Sequence, residues 1–112
     1  MGKHKNLGEF EITVLAAILH LGEEAYGVAI SEEIESRAGR KVTVGALYTT
    51  LSRLEEKGIV SSRMGEATAA RGGRAKKYFE LTTDGFRLFH QSVRALQDML
   101  RGLPEVGGEA LA

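Results

Sequence analysis

Apolar residues at Leu7, Phe10, Val14, Ala17 and Leu21 recur at alternating spacings of three and four, which is the repeat of one face of an α-helix. A second set, Ile12, Leu15, Ile18 and Leu19, covers other sides of the same segment. A first helix over about residues 7–21 is therefore apolar nearly all round and must be buried on more than one side. Gly22 is its expected stop. After the short acidic link Glu23-Glu24-Ala25, Tyr26, Ile30 and Ile34 repeat at helical spacing, leaving Glu32, Glu33, Glu35 and Arg37 for water. Gly39 ends this second helix. The third opens at Thr43, a residue type that caps helix N-termini, and carries its apolar stripe on Val44, Leu47, Leu51 and Leu54 before Gly58 closes it.

The period then changes. Ile59-Val60-Ser61-Ser62-Arg63-Met64 is β-branched and roughly alternating, and Lys77-Tyr78-Phe79-Glu80-Leu81-Thr82 is a second strand-like run. Between them residues 65–75 are rich in Gly, Ala and Arg, so the pair reads as a β-hairpin with a long basic tip. Thr83 or Asp84 starts a final helix reaching about Gly102. The expected fold class is mainly α with a small β-hairpin (α+β): a winged helix-turn-helix with a long C-terminal dimerisation helix. The division this predicts is a DNA-binding domain over 7–82, a dimerisation helix over 83–103, and flexible tails at 1–6 and 104–112.

Composition agrees with one small domain. The chain has 112 residues and 12.1 kDa, with 43% hydrophobic and 27% charged residues, an ordinary globular balance. The longest apolar run, Val14-Leu15-Ala16-Ala17-Ile18-Leu19, is far short of the roughly 20 residues a membrane span needs. The polar opening Met1-Gly2-Lys3-His4-Lys5-Asn6 has no signal-peptide apolar stretch, so the expected location is the cytoplasm. The absence of cysteine removes disulfides, thiolate metal sites and cysteine nucleophiles together.

Formal charge is zero, but it is segregated. Arg40, Lys41, Arg53, Lys57, Arg63, Arg71, Arg74, Lys76 and Lys77 face only Glu55, Glu56 and Glu66 within residues 40–77, a surplus of six positive charges, and the remainder carries the matching negative excess. Such a chain can turn a basic face to a polyanion while its other side stays acidic. An α-helix fits the major groove of DNA, where base edges present a readable pattern of donors and acceptors. Burying the stripe of the third helix turns Gly45, Ala46, Tyr48, Thr49, Ser52 and Arg53 outward, a small, hydroxylated, aromatic or basic set. A merely solvated face more often mixes Lys and Glu. With Lys41 and Thr43 before the helix and Arg71, Arg74, Lys76 and Lys77 on the hairpin, these residues, Ser52 aside, make up the expected DNA-binding set. Gly65, Gly72 and Gly73 let the hairpin backbone approach phosphates closely.

Three stretches resemble the PadR family of transcriptional regulators, short type. Thr43-Val44-Gly45-Ala46-Leu47-Tyr48-Thr49-Thr50-Leu51-Ser52-Arg53-Leu54-Glu55-Glu56-Lys57-Gly58-Ile59-Val60 is similar to that family's recognition helix and its exit. Gly72-Gly73-Arg74-Ala75-Lys76-Lys77-Tyr78-Phe79-Glu80-Leu81-Thr82-Thr83-Asp84-Gly85 resembles its wing and the approach to its last helix, and Ala25-Tyr26-Gly27-Val28-Ala29-Ile30 the start of its second helix. Thr49 departs from the pattern, standing where many relatives carry proline. The resemblance spans about residues 7–103 and implies a dimeric DNA-binding repressor, often relieved by a small molecule.

Phe86, Phe89, Val93, Leu96, Leu100 and Leu103 follow a heptad spacing, and Leu88, Ser92, Ala95 and Met99 form a second, weaker face. One face can cover the domain's own core while the other meets a partner. Leu7, Phe10 and Val14 of the first helix join that heptad as the expected homodimer interface. Two third helices would then meet successive major grooves about 34 Å apart and bind a pseudo-palindrome.

An enzyme reading fares badly. His4, His20 and His90 have no metal-ligand spacing and no obviously placed carboxylates, and the glycines around 65–73 are followed by no phosphate-loop lysine and hydroxyl pair. Neither a metal nor a cofactor is expected. The competing class is a winged helix that docks on another protein, which should show an apolar or acidic outer face on its third helix. Phe10, Phe86, Phe89 and Met99 are the residues available to line a cavity for a small apolar or aromatic effector, although core packing is the preferred role for them.

Overall fold

The computed structural model describes residues 6–65 and 75–104. In chain order these form α1 (Glu9–Leu21), a 3-10 turn (Gly22–Glu24), α2 (Gly27–Ala38), α3 (Val44–Glu56), β1 (Val60–Met64), β2 (Lys77–Leu81) and α4 (Thr83–Leu100). This is a winged helix-turn-helix followed by a long C-terminal helix. The hairpin tip with Arg71 and Arg74, and residues 1–5 and 105–112 of the expected tails, lie outside the described residues.

The helix ends follow from local chemistry. α1 begins two residues later than the apolar stripe suggests, because Gly8 is its cap and the Glu11 carboxylate accepts from the Gly8 N–H at 2.9 Å. Leu7 is outside the helix and its N–H donates instead to the Ser92 hydroxyl at 2.8 Å. Gly39 closes α2 in the left-handed region at φ 66°. Thr43 caps α3 as expected, its hydroxyl accepting from the Ala46 N–H at 3.1 Å. α4 starts at Thr83, one of the two expected first residues, and its cap is Thr82, whose hydroxyl accepts from the Gly85 N–H at 2.9 Å.

The core collects Val14, Leu15, Ala17 and Ile18 of α1, Ile30 and Ile34 of α2, Leu47, Leu51 and Leu54 of α3, and Ile59, Val60 and Phe79 of the hairpin. Each Leu or Ile side chain taken fully from water contributes on the order of 1.5–3 kcal/mol, so this cluster is what fixes the three helices to the hairpin. The strands pair antiparallel with Val60 opposite Leu81 and Arg63 opposite Tyr78. The acidic link after α1 does more than connect. Ala25 accepts from the Phe79 N–H at 2.9 Å and Tyr26 bridges Tyr78, so this short segment covers the outer edge of β2.

Two departures from the hydrophobic pattern matter for the surface. Val44 is not part of the buried stripe; it is 42% exposed at the first position of α3, ahead of the core contacts. Val14, expected at a subunit interface, is fully buried within its own chain and has no surface left to offer a partner. Among the described residues no helix is long and apolar enough to cross a membrane.

Candidate nucleic-acid interface

α3 places its side chains by simple rotation. With Leu47, Leu51 and Leu54 buried, Gly45, Ala46, Thr49, Ser52 and Arg53 fall together on the opposite, exposed face. Lys41 and Thr43 are exposed just before the helix. No acidic residue occupies the first turn of α3, whose free N–H groups and dipole favour an anion. Space around Gly45 is open, with nothing within 4 Å of a Cβ built there, so the backbone itself is accessible at this point. α3 runs unbroken through Thr49, whose hydroxyl donates to the Gly45 carbonyl at 3.1 Å. That bond commits the hydroxyl proton and leaves its oxygen and methyl group facing outward.

Tyr48 does not belong to the outward set. Its ring is half-buried, packs on the core and meets Phe79 of β2 edge to face, with centroids 6.0 Å apart. The ring also closes over Gly27, where a Cβ would lie 2.6 Å from it. Rotation explains the correction: Tyr48 is one residue from Leu47 and flanks the buried stripe, and an aromatic there gains more from packing than from water.

On the hairpin, two-residue alternation sorts the charges. Arg63, Tyr78 and Lys76 share one face. The Arg63 guanidinium lies 4.7 Å from the Tyr78 ring centre, and the Lys76 ammonium lies 4.1 Å from that of Tyr26. Tyr26 and Tyr78 meet edge to face at 5.7 Å, so both cations flank one aromatic pair at the base of the wing. Lys77 points the other way. Its ammonium is 3.7 Å from the Glu55 carboxylate, which also accepts from the Ser62 hydroxyl at 2.6 Å. Lys77 therefore ties the wing to the end of α3, with its side chain still 42% exposed. Arg63 was not among the expected contacts, although its position two residues from Ser61 on a strand was a usable signal.

The C-terminal helix divides along its length. Leu88 and Phe89 pack against the core, and Ser92 is 3% exposed. Two turns further along the same face, Met99 is 75% exposed, and Leu96, Leu100 and Leu103 are about half exposed. The apolar face continues past the point where the body of the domain ends. Phe86, near the start of α4, is also exposed, whereas Phe10, Leu7 and Val93 are half-buried.

The sequence profile of the transcriptional regulator PadR-like family matches residues 14–91. The chain is 33% identical over 95 residues to the transcriptional regulator Rv3488 of Mycobacterium tuberculosis, covering 83% of this chain and 82% of that protein. Among solved structures, a PadR family transcription regulator from hypervirulent Clostridium difficile superposes with a TM-score of 0.69 at 22% identity, over 84% of this chain and 93% of that one. A PadR-like transcription factor from Bacteroides fragilis gives 0.67 at 26% identity, over 81% and 82%. The family and these relatives are transcriptional regulators, not enzymes. On the strength of that match, this chain belongs to the PadR-like family of transcriptional regulators.

Proposed function

We infer that the chain is a homodimeric repressor that binds a pseudo-palindromic operator in duplex DNA, acting in the cytoplasm. The observation that carries the reading is the exposed face of α3. Gly45, Ala46, Thr49, Ser52 and Arg53 form a low-relief surface behind a Thr43-capped helix end with no carboxylate in its first turn. Small and hydroxylated side chains let the helix sit close to base edges, and Arg53 and Lys41 supply charge toward phosphate. In this reading Ala46 and Thr49 select bases, while Lys41, Thr43, Arg53, Arg63 and Lys76, with Arg71 and Arg74 of the hairpin tip, hold the backbone. The overhanging apolar face of α4, with Leu96, Leu100 and Leu103, supports the dimer, and Phe86 near the start of α4 is exposed as well.

Release by a small apolar or aromatic effector completes the proposal. Room for one exists in a groove of about 680 Å³ between the end of α1, the hairpin and the start of α4, within the range of small-molecule sites. Of the four residues considered for such a cavity, Phe86 lines this groove, beside Leu19 and Tyr78, with Ser62, Arg63 and Glu80 among its polar walls.

Selection of duplexes from a random pool, followed by fluorescence anisotropy on the winning sequence, tests the reading. A recovered motif with two half-sites about 10 base pairs apart is expected. Failure to retain any duplex at low salt would leave α3 as a protein-docking surface instead.

A further inference from the structure

We propose that Arg40 is a positioning residue for the recognition helix, and that the segment 6–10 links it to the C-terminal helix; this rests on the reading of α3 as the DNA-contacting element. Arg40 stands in the turn between α2 and α3, directly before Lys41, and opens the basic stretch of residues 40–77. Its guanidinium is directed elsewhere. One nitrogen donates to both carboxylate oxygens of Glu9 at 2.9 and 3.2 Å, and the group lies 4.6 Å from the Phe10 ring centre.

The other side of the same short segment is fastened to α4. The Leu7 N–H donates to the hydroxyl of Ser92, and the Gln91 side-chain amide donates to Asn6 at 2.8 Å. Leu7 and Phe10 both pack against the core, so the segment does not swing freely between its two attachments. On the far side of Arg40, the Val42 carbonyl accepts from the Ser31 hydroxyl at 2.8 Å and Val42 packs on the core. The turn that delivers Thr43 to its capping position is thus held by α2 at Val42 and by the start of α1 at Arg40. A shift of α4 against the body acts on Asn6 and Leu7, and within one helical turn on Glu9 and Phe10, whose contact sets where α3 begins. Contiguous contacts of this kind are the physical route by which one element biases another.

The Glu9–Arg40 pair is open to solvent, so its effect is moderate. With a duplex selected by the wild-type protein as probe, Glu9→Gln and Arg40→Ala are each expected to weaken binding about three- to tenfold. The slope of log affinity against log salt stays unchanged, because no phosphate contact is lost. The exchange Glu9→Arg with Arg40→Glu recovers most of the affinity. In the free protein, Glu9→Gln shifts the amide resonances of Thr43 to Leu47 although Glu9 is on another helix, and the exchange variant returns them. Two results overturn the proposal: amide resonances of α3 unmoved by Glu9→Gln, or a salt slope that falls by about 0.9 in Arg40→Ala while Glu9→Gln binds as well as wild type or better, the mark of a phosphate contact. If the wild-type protein selects no duplex, the DNA reading fails by itself, and the resonances of the free protein still decide the coupling.

Discussion

Tyr48 of the recognition helix and Phe79 of the second wing strand meet edge to face at 6.0 Å, with 62° between their planes. One aromatic contact thereby fixes the angle between the two elements proposed to touch DNA. Glu55, bonded to Ser62 and paired with Lys77, makes the same connection at the other end of α3. The wing and the helix are one rigid unit at the wing's base.

Replacing Tyr48 therefore tests packing before it tests recognition. Tyr48→Ala is expected to lower stability by about 2–4 kcal/mol, and Tyr48→Phe by less than about 1 kcal/mol, read from urea unfolding at constant slope. Full stability in Tyr48→Ala together with lost DNA affinity would return the ring to the outward set.

Gly45 offers a substitution with opposite effects on the two properties. Open space surrounds a Cβ at this position, and alanine is favoured over glycine by up to about 1 kcal/mol in a helix interior and by less in the first turn, where Gly45 stands. Gly45→Ala should raise the melting temperature. It should also weaken operator binding by about tenfold, since the methyl group stands where the helix approaches the groove, a cost near 1.4 kcal/mol. Thermal melts and anisotropy on the same preparation give both numbers. Equal affinity in the variant means that α3 does not lie close to DNA at Gly45.

Much of this architecture was legible in the chain because the relevant signals are local. Thr43, Gly39 and the period switch after Gly58 each act within a few residues, and each marks the boundary found. What escaped depends on neighbours distant in sequence. Tyr48 turns inward because Gly27 and Phe79 leave a place for its ring. Lys77 is engaged because Glu55 reaches back across the end of α3. Val14 is buried because α2, the second wing strand and α4 close around α1, and periodicity says only that a face is apolar, not what covers it. The pairing of Ala25 and Tyr26 with β2 had no sequence signature, because the segment is too short to show alternation.

Salt dependence separates the basic residues that hold phosphate from those that hold the fold. Arg53 is exposed on the outward face of α3, so Arg53→Ala should weaken binding to all sequences and reduce the salt slope by about 0.9. The double variant Arg74→Ala/Lys76→Ala should reduce it by up to about twice that. Lys77→Ala should leave the slope unaltered, because its ammonium already has Glu55 as a partner. A slope change in Lys77→Ala equal to that of Arg53→Ala would show that the pair opens on DNA.

The overhang of α4 makes the most demanding prediction. Ser92 is 3% exposed while Met99, on the same face, is 75% exposed, so the helix carries an apolar surface beyond the body that should cover it. Leu96, Leu100 and Leu103 extend that surface, and contiguous apolar area of this kind marks an interaction site. In the proposed dimer a second copy related by a two-fold axis would bury it with the same residues from both sides, and stable interfaces take about 800 Å² per partner. The wild-type chain should sediment as a dimer at micromolar concentration, with a melting temperature that rises with concentration. Leu96→Glu/Leu100→Glu should sediment as a monomer, keep its helical circular dichroism, and lose the concentration dependence. Because Leu96 and Leu100 lie off the domain's core, folding of α1 to β2 is retained in that variant. Its affinity for a single half-site should then match wild type, while affinity for the full operator falls to the half-site value. A wild-type chain that stays monomeric at those concentrations would leave the two recognition helices unlinked and remove the basis for a palindromic site.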